Sequence, residues 1–214
     1  MRQFKFILIF LIVANINCKP VAYFNTPNDI FRKDCTVYML DGIEKNGKIT
    51  IMFETGHDAD RSISLMNDNH EEKISMESIK SYKINEDYYF PKIIDLEFNG
   101  SDRLLFVKRL TQEKSRIQMY ELHQQKKQTA DGEDHFFYFI SLPMQGRLET
   151  WNVGGQHFSP HFEEKMSDLV EDCPALSNKI QQKEKGYFLA QLTSSNFKRV
   201  EVLKRIIDEY NDCH

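Results

Sequence analysis

The sequence predicts an α+β protein: an antiparallel β-rich part, built as a small curved sheet or barrel plus a β-meander, followed by a C-terminal set of about three helices. Three observations carry that expectation. Up to Val153 the apolar residues recur in short runs with strand-like alternation, separated by turn dipeptides. The stretch Asp102–His123 has two runs rich in Leu, Phe, Val, Ile and Tyr around the polar break Thr111–Ser115, and reads as a β-hairpin with apolar residues on both faces. After Gly154-Gly155 the apolar period changes from two to about 3.6. Strands first and helices last is the order of an α+β chain, not of alternating βαβ units.

The first residues form a separate unit. Arg2 and Lys5 precede the apolar run Phe6–Ala14 and the polar Asn15-Ile16-Asn17-Cys18, the layout of a signal peptide over 1–18. The run is short for a bilayer span. Cleavage after Cys18 is one reading, a lipoprotein in which Cys18 becomes the lipid-bearing first residue is another, and an uncleaved anchor is a third. The expected location is extracytoplasmic, periplasmic or secreted, with a lipid anchor at Cys18 as the alternative tie to the membrane. Residues 19–32, with Pro27 and no periodicity, read as a leader segment.

The β-rich region is expected over 33–153. Its first strand is Lys33–Leu40, followed by the turn dipeptides Asp41-Gly42 and Asn46-Gly47 and then Lys48–Glu54, where Ile49, Ile51 and Phe53 alternate with polar or flexible residues. Arg61–Met66 carries Ile63 and Leu65 on one face. The turn Asn67-Asp68-Asn69 leads into Glu72–Met76, and Ile79–Ile84 places Ile79 and Tyr82 in the core. Five short strands so closely spaced predict a small barrel or strongly curved sheet. Asp87–Phe98 contains Pro91, which cannot donate a ladder hydrogen bond and implies a sheet edge or bulge there. Asn99-Gly100 turns the chain into the Asp102–His123 hairpin. A polar loop over 124–134, the aromatic strand His135–Leu142 and a last strand Arg147–Val153 complete the region.

The helical region, 154–214, is expected to pack on the sheet. Ser159 is placed to cap a first helix opened by Pro160, with Phe162, Met166, Leu169 and Val170 as its apolar stripe. Pro174 opens a second helix bearing Leu176 and Ile180, ending near Gly186. The third follows Thr193-Ser194-Ser195 and carries Phe197, Val200, Leu203, Ile207 and Tyr210.

Asp41-Gly42 through Gly47-Lys48-Ile49, Ile79-Lys80-Ser81-Tyr82 with Tyr88-Tyr89, Leu104–Tyr120, Asp172-Cys173-Pro174-Ala175-Leu176 and Ile207 through Tyr210-Asn211 together define a pattern over most of the mature chain. In this it resembles a group of uncharacterised secreted proteins of Bacteroidota-type bacteria. The resemblance rests on structural turns and core positions; it implies export, and because that group has no assigned activity it brings no functional residues.

A net charge of −4 from 28 basic and 32 acidic residues mixed along the chain offers no basic face for nucleic acid. His157 and His161 stand four apart, but a helix opened by Pro160 leaves His157 outside it and removes the meaning of that spacing for a metal. Asp58, Asp60 and the Asn67–Asn69 turn lack the remaining calcium-loop ligands, and Asp131-Gly132-Glu133-Asp134 reads as an exposed loop. There is no G-x-S-x-G, H-E-x-x-H, phosphate-loop or C-x-x-C motif. No cofactor or metal is expected. The aromatic cluster Tyr82, Tyr88, Tyr89 and Phe90 is the candidate binding surface, since amphipathic rings suit sugar or peptide contact; core packing is the competing reading. The expected function is a non-catalytic binding or structural module for an envelope protein or glycan. A hydrolase with a site assembled from dispersed acids and histidines is the alternative.

In an oxidising compartment, removal or lipidation of Cys18 leaves Cys35, Cys173 and Cys213. Cys173 opens the second helix and Cys213 ends the third, so an antiparallel pair of those helices brings them together. A Cys173–Cys213 disulfide is therefore expected, with Cys35 as a small buried hydrophobe.

Overall fold

The computed structural model of the chain describes residues 30–51, 62–68, 70–95, 102–124, 135–141, 151–152, 161–189 and 196–213. The expected signal peptide, most of the leader, the loop over 125–134, Ser159, Pro160, His157 and the Asp58 and Asp131 segments lie outside these residues. The described strands are β1 (Ile30–Met39), β2 (Glu44–Ile51), β3 (Ser62–Asn67), β4 (His70–Ser75), β5 (Ile79–Ile84), β6 (Asp87–Asp95), β7 (Asp102–Arg109), β8 (Gln118–Gln124), β9 (His135–Ser141) and β10 (Trp151–Asn152). The helices are α1 (Phe162–Leu169), α2 (Pro174–Gln181) and α3 (Asn196–Asn211). The strands form a single antiparallel sheet in the order β10-β9-β8-β7-β6-β5-β1-β2-β3-β4. This is the α+β architecture the sequence predicts.

The first five strands cannot lie flat. Only the short 3-10 turn Met76–Ser78 separates the end of β4 from the start of β5, yet three strands stand between them in the sheet. Four strand spacings span about 19 Å in a flat sheet, whereas the step from Ser75 to Ile79 reaches at most about 14 Å. The sheet must therefore curl until β4 approaches β5, and the backbone N–H of Leu40 at the end of β1 donates to the Ser78 carbonyl at 2.9 Å. Curling encloses a barrel-like core of Val37, Ile49, Ile63, Leu65, Ile74, Ile79 and Tyr82, extended by Phe106 from β7.

Asn99-Gly100 and Asn69 lie outside the described residues; among the described turns, local chemistry is followed with one difference from expectation. Asp41-Gly42 makes the β1–β2 turn: Gly42 adopts φ +88, and Asp41 Oδ1 accepts the Ile43 N–H at 3.0 Å. Asn46-Gly47 is not a turn but lies inside β2, with Gly47 opposite Cys35. The compact Asp41-Gly42 turn reverses the chain early, and β3 then approaches Gly47 too closely for a side chain. Strand β1 also begins at Ile30, inside the expected leader, with Ile30 buried. Pro91 sits in β6 opposite Phe106 of β7, beyond Tyr89, the last β6 residue paired to β5. The proline thus occupies a local edge, where its missing N–H leaves no partner unpaired.

The Asp102–His123 hairpin is present as β7 and β8. Buried Gln118 organises its turn, its Nε2 donating to the carbonyls of Gln112, Glu113 and Ser115 at 2.9 to 3.2 Å while its Oε1 accepts from Thr111 Oγ1 at 2.8 Å. Helices α1, α2 and α3 pack over this end of the sheet. Phe162, Met166, Val170, Leu176, Ile180, Leu203, Ile206, Ile207 and Tyr210 share one core with Ile117, Met119 and Ile140 of the sheet side. His161 stands at the N-cap of α1, and Pro174 occupies the first turn of α2.

The Cys173–Cys213 disulfide joins the start of α2 to the end of α3, with Cα atoms 6.1 Å apart. Beside it, the Tyr210 hydroxyl donates to Asp172 Oδ1 at 2.7 Å, and Arg116 pairs with Asp172 while lying 3.8 Å from the Tyr210 ring centroid. The Arg116 N–H also donates to Asn211 Oδ1 at 2.8 Å, so the β7–β8 turn is fastened to both helices. Cys35 is free and buried.

Candidate functional site

Alternation along β5 and β6 divides the predicted aromatic cluster between two faces. Tyr82 and Tyr89 are cross-strand partners on the face that becomes the barrel interior, their rings stacked 4.8 Å apart. Tyr82 is fully buried and meets Phe106 edge-on. Burial drives its hydroxyl pKa well above the ordinary tyrosine value and that of Tyr89 up to about 12. These two residues are core, and Tyr82 offers no surface to a ligand.

Tyr88 and Phe90 belong to the opposite, outer face, and there they meet residues that were not singled out in the sequence. Lys83 is the cross-strand partner of Tyr88, its Nζ 5.3 Å from that ring's centroid. Arg109 of β7 lies between two rings, its guanidinium carbon 5.4 Å from Tyr88 and 4.8 Å from Phe90. Lys92 lies between the next two, its Nζ 5.9 Å from Phe90 and 5.3 Å from Tyr120 of β8. The result is a ladder in which cation and ring alternate: Lys83, Tyr88, Arg109, Phe90, Lys92, Tyr120. Tyr38 of β1 stacks on Tyr88 at 6.2 Å and lengthens it by one strand.

Each element has a simple reason for its place. Tyr88, Phe90 and Lys92 stand at i, i+2 and i+4 of β6 and so share a face, while antiparallel register brings Lys83 from one side and Arg109 from the other. A cation over an aromatic face contributes roughly 0.5–2 kcal/mol, rising as water is removed. Next to the ladder the outer face carries a buried apolar cluster of Leu105, Val107, Tyr120, Leu122 and Phe139, with the partly buried Phe90 packed against it, so Tyr120 is the ladder's buried end.

The charges are unequally compensated. Glu86, almost fully exposed, lies 3.5 Å from Lys83, and Glu113, also exposed, lies 3.9 Å from Arg109. Lys92 has no ion-pair partner among the described residues, and burial alone lowers its ammonium pKa. Its ammonium group is thus partly desolvated and lies between the Phe90 and Tyr120 rings.

Elsewhere the charged side chains that come together are ion pairs. Lys45–Glu72 is 2.5 Å, Lys108–Asp87 2.9 Å and Lys179–Glu209 2.6 Å. Tyr187 donates to Glu209 at 2.5 Å; burial works against ionisation of that carboxyl, but these two hydrogen bonds outweigh it and lower its pKa. Glu209 lines an open groove of about 660 Å³ along α3 with Glu201, Lys204, Arg205, Asp208 and Asp212. Among the described residues there is no group of three or more His, Cys, Asp or Glu able to hold a metal ion, and no helix long and apolar enough to cross a membrane.

The alternation of Tyr88, Phe90 and Lys92 is the signal that would have led to the ladder. Treating Tyr88 and Tyr89 as one patch passed over it, since adjacent strand residues face opposite ways. No protein-family model, no curated protein and no solved structure matches the chain.

Proposed function

We propose that the protein is a non-catalytic binding module acting outside the cytoplasm, which engages an envelope protein or glycan through the ladder on the outer face of β5–β8. The observation that carries this reading is the alternation of three cations with three aromatic rings on one face. Besides whatever the cation–ring contacts of Lys92 contribute to the sheet, such a surface offers apolar contact and charged donors side by side. Export by residues 1–18, with cleavage or with lipidation at Cys18, is part of the proposal, and the resemblance to secreted Bacteroidota-type proteins agrees with it.

Capture experiments test the reading directly. Mature chain, immobilised and washed with solubilised envelope from the cells that make it, is expected to retain a saturable partner that Tyr88→Ser releases while thermal stability stays within a few degrees. A partner retained equally by both chains would remove the ladder from the account.

A further inference from the structure

We infer that the ladder is a subsite for an acidic polysaccharide, with Lys92 and Arg109 as its carboxylate-reading residues; this rests on the binding-module reading above. Length is the first argument. Tyr120 is buried, so the accessible strip runs from Tyr38 on β1 to Arg109 on β7 and crosses three strand spacings, about 14 Å, which is longer than a single ion or one sugar ring needs and suits an oligosaccharide.

Direction is the second. The strip runs across the strands, on a sheet face whose backbone donors and acceptors are taken up in the ladders to either side. A peptide adding as a further strand needs a free sheet edge, so recognition here falls to side chains alone.

Charge complementarity is the third. Lys83 and Arg109 have only exposed carboxylates beside them, Glu86 and Glu113, and Glu44 lies opposite Tyr38 at the strip's end. Lys92 has no ion-pair partner among the described residues although two rings exclude water from it. Carboxylates spaced along a sugar chain satisfy Lys92 and compete with Glu113 for the guanidinium of Arg109, while the C–H faces of the sugars lie on Tyr88 and Tyr38.

Calorimetric titration of the mature chain tests this with three probes of matched length: a uronic-acid oligosaccharide, its neutral hexose counterpart and oligoglutamate. The uronate is expected to bind at least about tenfold more tightly than the other two, the effect of one charge-assisted hydrogen bond, and to weaken as salt rises. Lys92→Gln and, independently, the more exposed Lys83→Gln should each weaken it, with urea midpoints reported alongside to separate misfolding from lost contact. Equal binding of the neutral sugar would overturn the proposal and leave the binding-module reading standing. Preference for oligoglutamate would replace the glycan by an acidic peptide. No binding of any probe would also overturn it, and the envelope capture then decides the broader reading separately.

Discussion

At Gly47 one absent methyl group sets how closely two strands approach. A Cβ built there would stand 2.6 Å from the Met66 carbonyl oxygen of β3 and 3.1 Å from Leu65 Cδ1. The nearest obstacle is backbone, which cannot rotate away, so Gly47→Ala is expected to destabilise the protein by about 1–3 kcal/mol, although an alanine is normally the better strand residue. Urea denaturation measures this; an unchanged midpoint would mean that β3 yields freely. The same residue marks a limit of the sequence. Asn-Gly signals a hairpin turn, and nothing local distinguishes a glycine that turns the chain from one that admits a neighbouring strand. Tyr82 is different: its place in the core was legible from the pattern of Ile79–Ile84, but Tyr89 could be assigned to that core only once its register against Tyr82 was known.

Among the elements, the Asp102–His123 hairpin and the helices were legible because each carries its own period and punctuation. Cys173 and Cys213 were legible as a pair because α2 and α3 place the start of one beside the end of the other. Replacing both by serine frees a loop with a sequence separation of 40 and should cost about 4 kcal/mol in the chain-entropy account. Chemical denaturation of the double variant against the oxidised chain measures it; an equal midpoint would show that the Arg116–Asp172–Tyr210 contacts alone hold this corner. Those contacts were not legible, since Arg116 and Asp172 meet only when the hairpin turn docks on the helices. Gln118 was hidden for a related reason: its three carbonyl partners form a turn whose shape the side chain itself helps to set.

Across the whole molecule, the curl of the first five strands follows from a short connection over a long sheet distance. That constraint was legible as a small barrel from strand spacing, whereas the outer-face ladder needs the register of four strands at once. Burial on the inner side has a consequence at high pH. Burial raises the Tyr89 pKa to about 12, as it does chiefly for Tyr138 and Tyr210, and drives that of Tyr82 well above its usual value. The unfolded chain releases these protons near about pH 10. Folding therefore retains them, and the stability they contribute is complete below about pH 10 and lost as pH rises toward about 12. Urea midpoints should be nearly constant from about pH 7 to 9 and fall steeply above about pH 10. A midpoint independent of pH up to about 11 would contradict the burial assigned to these rings.

The role proposed for the ladder, as a binding surface, is tested most directly by the isotherm of the labelled chain on isolated envelopes. Four chains serve: native, Lys92→Gln, Tyr88→Ser, and Lys204→Gln on the distant groove of α3. The account predicts saturable binding by the native and Lys204→Gln chains and loss of about tenfold or more in affinity for each ladder variant, as expected when a central contact is removed. Ladder variants that bind as the native chain does, or a loss confined to Lys204→Gln, would contradict it.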